Sequence, residues 1–260
     1  MRFLFGELSK GGGIIMRTKL NLQYGTRKDQ LLDIYYPEKE TYDLLIWIHG
    51  GGLESGTRKS LEFQHDLTAS GLAVVSVEYR LYPDAVFPEY IQDCAKAVKY
   101  VLDNVANEQN VKRVFLSGQS AGAYITMMLA LDKHYFNEAG VKYEQIAGFI
   151  SDSAQMTTHF NVLREFGVDV RLERIDEAAP LYHLSEDSFE GEMLLIYYSD
   201  DIPCRAEQNQ LFYKSICRLC PEQNIQIVEL PGTHCHGSCL RNANGTFDYN
   251  EVLLRFIKGI

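Results

Sequence analysis

The stretch VFLSGQSAGAYITMMLAL, residues 114–131, changes character at its middle. Val114, Phe115 and Leu116 open it as an apolar run of strand type, and Tyr124 to Leu131 close it as an apolar helix. Ser120 lies between them, with Gly118 and Gly122 two residues away on either side. A strand that passes directly into a helix turns sharply, which strains the residue at the apex and brings its neighbours against adjacent backbone. The two glycines remove the Cβ atoms that would clash, and Ala121 and Ala123 keep the remainder small. The serine hydroxyl is then pushed out at a helix N-terminus, where free amides favour negative charge. A bare G-x-S-x-G is a weak signal, because an ordinary N-cap serine gives the same letters. Its placement between a strand and a long helix makes it a nucleophile elbow, with Ser120 as the nucleophile.

Working outward, strands alternate with helices. KLNLQY and LLDIYYP read as two early strands, and DLLIWIHGGG as a buried strand that runs into glycines. SLEFQHDLTASG reads as a helix with a serine start and a glycine stop. LAVVSVEY is the next buried strand. FPEYIQDCAKAVKYVLDNV follows as a periodic helix, with Ile91, Ala95, Val98, Leu102 and Val105 on one face. Beyond the elbow come strands AGFISD, MLLIYYS and IQIVEL, and helices AEQNQLFYKSICRL and VLLRFI. Near-continuous apolar strands separated by helices imply an α/β fold with a mostly parallel sheet covered on both faces. Residues 153–190 break the rhythm and are the natural place for a small cap insertion. The expected organisation is one domain over 16–260, preceded by a flexible extension at 1–15.

Composition narrows the function classes. The chain of 260 residues carries a net charge of −10 without a basic block, which argues against nucleic acid and anionic membrane as partners. No apolar run reaches the ~18–20 residues of a membrane helix. The N-terminus, with Glu7 and a glycine run interrupting its apolar patch, makes a poor signal peptide. A cytoplasmic location is the default expectation, and six cysteines suit it as free thiols. The oligomeric state is left open, and a homodimer is compatible with the sequence.

A parallel sheet carries its ligands outside the carboxyl ends of its strands. The residues at those ends are His49 to Gly52, Ser120, Asp152, Asp200 and Asp201, and His234 with His236. These are groups that acyl transfer uses. In IHGGGLESG (48–56), glycines let backbone amides converge on one point without side chains in the way. The amides of Gly51, Gly52 and Ala121 are therefore the expected oxyanion donors, and His49 is read as a brace for the loop. LPGTHCHGSC (230–239) offers two histidines. They are two apart, so in an extended loop they point the same way and parity does not separate them. Tyr82, Phe87, Met156 and Phe160 are candidates for an acyl or aryl pocket, although each suits a core role equally.

Three stretches carry a resemblance: IHGGG (48–52), VEYRLYPDAVFPEYIQDC (77–94) and GQSAG (118–122). With them the chain resembles the α/β-hydrolase esterases, in particular the branch that includes hormone-sensitive-lipase-like carboxylesterases. The segment SDDIPCRAEQ is closer to small acyl-esterase and feruloyl-esterase-like relatives. Gln119, Ala123 and Leu53 depart from the common pattern of that branch. The resemblance implies a Ser-His-Asp triad acting through an acyl-enzyme on a small ester, without a cofactor; the insertion at 153–190, too short for a large apolar lid, points to short acyl chains. It points to Asp201 as the acid, with Asp200 as the alternate and Asp152 as a weaker choice. Counting on from Leu230 as the strand's last apolar residue, as in similar esterases, favours His236, which Gly237 follows. His234 is the alternate. Arylformamidases and small peptidases use the same triad, so ester and amide substrates are not separated. Two other classes stay in view. One is a zinc site built from Cys217, Cys220, Cys235 and Cys239 with the two histidines, against which no metal is expected. The other is a hydrolase fold that only binds.

Overall fold

The computed structural model describes residues 17–59, 62–107 and 110–259. The expected flexible extension at 1–15 lies outside the described residues. Eight strands form one sheet: β1 (Arg17–Gln23), β2 (Leu31–Tyr36), β3 (Tyr42–Ile48), β4 (Ala73–Val77), β5 (Val111–Gln119), β6 (Gly148–Asp152), β7 (Glu192–Asp200) and β8 (Asn224–Thr233). The spatial order is β1-β2-β4-β3-β5-β6-β7-β8. β1 and β2, and β2 and β4, pair antiparallel, and every pair from β4 through β3 to β8 is parallel. Among the described residues, eight α-helices accompany them: α1 (Glu62–Ala69), α2 (Glu89–Val101), α3 (Ala121–Leu131), α4 (His134–Ala139), α5 (Phe160–Glu165), α6 (Arg205–Leu219), α7 (His236–Cys239) and α8 (Asp248–Lys258).

The alternation of side chains along each strand explains the layers. Leu44, Ile46 and Ile48 of β3, with Leu116 and Leu195, face one core that takes in α2, α3 and α6. Leu45 and Trp47, with Phe115, Leu194 and Ile196, face the other, closed by Phe63 and Leu67 of α1 and Leu253 and Phe256 of α8. Trp47 stands edge-on to Phe63, ring centroids 5.3 Å apart. β4, β6 and most of β3 are buried because both faces are covered, which is why their sequences run apolar without a polar alternation.

Register brings the functional ends level. Ile48 pairs with Gly118, Gln119 with Asp152, Asp152 with Ile196, and Asp200 with Thr233. Between β6 and β7 the chain makes no strand. It forms α5 and a short 3₁₀ turn at Pro180–His183 over this edge. Tyr124 of α3 donates to the Ala178 carbonyl at 2.7 Å, which ties this segment to α3, and the Leu181 amide donates to the Met156 carbonyl at 3.0 Å within the segment.

Candidate active site

The turn after β5 is as tight as its sequence requires. Ser120 has φ 53° and ψ −112°, a backbone conformation that costs a non-glycine residue about 1–3 kcal/mol. Its amide donates to the Asp152 carbonyl at 2.8 Å, and its carbonyl accepts from Tyr124 at 2.9 Å, which fixes the apex from both sides. A Cβ on Gly118 would stand 2.6 Å from the Ala123 nitrogen, and one on Gly122 would stand 2.5 Å from the His49 carbonyl oxygen. Strand, turn and helix approach one another through those two glycines.

The His234 Nε2 lies 2.8 Å from Ser120 Oγ, and its Nδ1 lies 2.6 Å from Asp201 Oδ1. The expectation of His236 is thereby corrected: the ring that meets Ser120 belongs to His234. β8 does not end at Leu230 but continues through Pro231 and Gly232 to Thr233, past an irregularity opposite Tyr198–Asp200. His234 is the first residue beyond that end, beside the acid at the end of β7. The loop is not extended either. Cys235 is left-handed, φ 56°, and turns the chain so that His236 starts α7 and folds back over Gly232. Gly237 sits inside α7 against Leu230 and the Tyr198 hydroxyl, so the sharp turn belongs to Cys235.

Of the candidate acids, Asp201 is the one that meets the His234 ring. The Asp201 carboxyl is 1% exposed, while Asp200, one residue earlier, faces solvent. Burial alone would raise the Asp201 pKa. Hydrogen bonds with His234, Ser153 and the Ile202 amide outweigh it, and the group is held below its ordinary value. Asp152, the weaker candidate for the acid, is fully buried beneath the site. It accepts from Tyr198 at 2.8 Å and, very closely, from Ser238 of α7. Burial dominates there and pushes its pKa up to about 6.

In the glycine loop, Gly51, Gly52 and Leu53 have φ values of 107°, 66° and 67°, so three successive residues turn the left-handed way. Among the described residues, the amides of Gly51, Gly52 and Ala121 donate to no protein acceptor. The loop is braced from below. The buried His49 ring stacks on Tyr79 at 4.4 Å and shares its Nδ1 with the Gly50 carbonyl at 2.7 Å. Its Nε2 lies 3.5 Å from Glu78. Burial works to raise the Glu78 pKa, but His49, Arg58 and Thr57 together hold it down to about 2. The segment 77–94 is an ion-pair frame: Arg80 grips Asp93 through Nε at 2.7 Å and Nη2 at 2.9 Å, and Gln30 donates to the same carboxylate at 2.7 Å.

The four pocket candidates separate. Phe160 lies over the glycine loop, its Cζ 3.4 Å from where a Gly52 Cβ would be. Tyr82 adjoins the same loop through its amide, which donates to the Leu53 carbonyl at 2.8 Å. Phe87 packs edge-on against Phe166, 6.2 Å between centroids, and Met156 is fully buried in the core. Helix α5 is tied to this region by Asn161, which donates to the Gly52 carbonyl, by Arg164 to Glu54 at 2.8 Å, and by Glu165, which accepts from the Phe87 amide at 2.8 Å. Asn161, Ser153 and Arg205 escaped the sequence reading. Only Ser153 carried a local signal, its place directly after a strand-end aspartate. The cysteines disperse: Cys220 turns to the carbonyls of Ser185 and Glu186, Cys235 to that of Asp152, and Cys239 to Gln119. Among the described residues, no group of three or more His, Cys, Asp or Glu side chains could hold a metal ion. No helix among them is long and apolar enough to cross a membrane.

The parallel sheet, the tight strand-to-helix turn at the end of β5 and the hydrogen-bonded histidine and aspartate after β8 and β7 are those of an α/β-hydrolase, with the fold of its esterases. The chain belongs to the BD-FAE family, whose model matches residues 32–197. It is 34% identical over 113 residues to neutral cholesterol ester hydrolase 1 of Pongo abelii, a match that spans 41% of this chain and 27% of that protein. It is 22% identical over 249 residues to kynurenine formamidase of Salmo salar, spanning 94% of this chain and 83% of that one. Esterase B from Lactobacillus rhamnosis has the same fold, with a TM-score of 0.75 at 18% identity over 94% of this chain and 85% of its own. The chain spans less than half the length of several curated relatives that it matches.

Proposed function

We propose that this chain hydrolyses small carboxylic esters of short acyl chain through Ser120, His234 and Asp201. The observation that carries the proposal is the unbroken line of hydrogen bonds from Ser120 Oγ through the His234 ring to Asp201, at 2.8 and 2.6 Å. His234 Nε2 takes the hydroxyl proton as Oγ attacks the ester carbonyl. Asp201 holds the Nδ1–H tautomer and stabilises the imidazolium. The amides of Gly51, Gly52 and Ala121 receive the oxyanion, where fixed donors are worth several kcal/mol. His234 then protonates the leaving alcohol, and water repeats the sequence on the acyl-enzyme. The preference for short acyl groups is supported by Phe160, whose ring fills the space above Gly52. We read residues 16–260 as one domain with a cap at 153–190, and place it in the cytoplasm on its acidic charge and six free thiols.

Turnover of p-nitrophenyl acetate by the wild type, and its loss by roughly 10⁴-fold in Ser120→Ala, tests the reading. Labelling by an organophosphate should vanish in the same variant, and labelling of a different serine overturns the assignment. Activity rising steadily from acetate to palmitate esters would rule out the short-chain preference. A second reading, hydrolysis of an aryl formamide on the same triad, is supported by the match to kynurenine formamidase along 94% of the chain. Parallel assay of N-formylkynurenine and acetate esters separates the two.

A further inference from the structure

Ser153 lies directly after β6 and is fully buried. Its Oγ is 2.5 Å from Asp201 Oδ2 and 3.0 Å from His234 Nδ1. We infer that Ser153 is a positioning residue of the triad, whose hydroxyl sets the rotation of the Asp201 carboxylate and offers His234 Nδ1–H a second acceptor. The inference rests on the triad reading above.

The proton of the Ser153 hydroxyl is assigned by elimination. An ionised carboxylate only accepts, so the O–H points to Asp201 Oδ2. A lone pair of Oγ then faces Nδ1–H. Asp201 Oδ1 is left to the His234 Nδ1 at 2.6 Å and the Ile202 amide at 2.8 Å, so each carboxylate oxygen has its own donors and the group cannot swing. When Nε2 takes the Ser120 proton, the positive ring keeps Nδ1–H between Asp201 Oδ1 and Ser153 Oγ.

The backbone around Ser153 is built to hold it there. Its φ is 60°, a region that favours glycine. Its amide donates to the Ile196 carbonyl at 2.8 Å, and its carbonyl accepts from Arg205 Nη1 at 2.6 Å. Arg205 is 3% exposed and, among the described residues, has no carboxylate in ion-pair contact. A buried guanidinium without a paired anion is costly, and here its shortest hydrogen bond goes to the Ser153 carbonyl, with a longer one to Gln155 Oε1 at 3.4 Å. Asn209, one turn further along α6, donates to the next carbonyl, Ala154, at 3.0 Å. Glycine would suit this backbone better than serine. What serine adds is the hydroxyl.

That difference makes Ser153→Gly the informative variant, since it relieves the backbone while removing the hydroxyl. The experiment measures thermal melting and steady-state hydrolysis of p-nitrophenyl acetate for wild type, Ser153→Gly and Ser153→Ala, and for the same substitutions in a His234→Ala background. Relief of the backbone works against loss of the hydroxyl's bond to the Asp201 carboxylate, so Ser153→Gly should fold and melt within about 5 °C of wild type. Its kcat should fall roughly 10- to 100-fold, the range of a hydrogen bond to a charged group, with KM within about twofold. In the His234→Ala background the same change should alter the residual kcat by less than about twofold, because the residue acts only through the ring. The inference is overturned by wild-type kcat in Ser153→Gly, by a loss confined to KM, by an equal loss in both backgrounds, or by failure of the glycine variant to fold. Ser120→Ala keeps the two readings apart. If it retains activity the triad reading fails. If it and His234→Ala are inactive while Ser153→Gly is normal, only the present inference fails.

Discussion

Gly122→Ala puts the tightness of the elbow to a quantitative test. The added Cβ would lie 2.5 Å from the His49 carbonyl oxygen, 2.7 Å from the Ile48 carbonyl carbon and closer still to the Ile48 oxygen. Ordinary contact is about 3.5 Å, so α3 must back away from β3 by about 1 Å. The obstructing atoms cannot yield, because they are backbone at the end of a strand hydrogen-bonded on both sides, to β4 and β5. Overpacking of this kind costs about 1–3 kcal/mol, and a backbone obstacle puts it at the upper end. At about 2–4 °C per kcal/mol for a chain of this size, the melting temperature should drop by about 6–12 °C. The shift also carries the Ala121 amide and Ser120 away from their partners, and a displacement of about 1 Å in such a site costs about 10²-fold in kcat. The control is Gly167→Ala in the cap. That glycine has φ 67° with nothing within 4 Å of its added Cβ. It should lose about 1 kcal/mol of stability from backbone conformation alone, and no activity. Calorimetry with steady-state kinetics on both variants decides the matter. A Gly122→Ala protein that melts within about 2 °C of wild type and retains its kcat refutes the steric argument.

Other expectations follow from the same geometry. His234→Ala should lower kcat on an acetate ester by about 10³-fold or more, and His236→Ala by less than about tenfold, in side-by-side assays. Phe160→Ala should raise the ratio of kcat/KM for butyrate over acetate esters by about tenfold, since the two added methylenes gain a site at about 0.8 kcal/mol each; an unchanged ratio removes Phe160 from the pocket. The Asp152 pKa is raised in the fold to about 6, so the folded protein binds the extra proton and stability falls as pH rises from about 4 through about 6. Asp152→Asn should therefore gain melting temperature relative to wild type between pH 4 and 7, and a difference that is flat across this range speaks against it.

Much of the fold was legible because its causes are local. Leu44 to Ile48, Ala73 to Val77 and Met193 to Tyr198 read as buried strands because both of their faces are covered, and that requirement is written into each strand separately. The elbow was legible for the same reason: Gly118 and Gly122 answer clashes within a few residues of Ser120. The histidine was not legible, because its position depends on where β8 stops. Leu230 is the last apolar residue of that strand, but pairing with β7 carries it three residues further, to Thr233 opposite Asp200. The extension is decided by the neighbouring strand. The left-handed turn then falls on Cys235, which no local propensity marks for it.

Residues that hold the site together, as distinct from those that react, come from further apart in the chain. Asp152 illustrates this. Its carbonyl accepts from the Ser120 amide, which fixes that turn, and from the Cys235 thiol at 3.8 Å. Its carboxyl accepts from Ser238 in α7, which fixes the loop that follows His234, and from Tyr198 in β7, two residues before the strand end that leads to Asp201. Gln119, beside the nucleophile, donates to the same Ser238 hydroxyl at 2.8 Å. The segments that carry Ser120, His234 and Asp201 thus meet at one buried residue, the first at its backbone carbonyl and the other two at its carboxyl. Read alone, Asp152 is only an aspartate ending a strand, and its use exists only once β5, β7 and α7 have been brought to it. That convergence also explains how a buried acid is tolerated there. Its oxygens are taken up by two hydroxyls, and the hydrogen bonds that work against its burial, from Ser238 and Tyr198, are the ones that tie α7 and β7 together beneath His234 and Asp201.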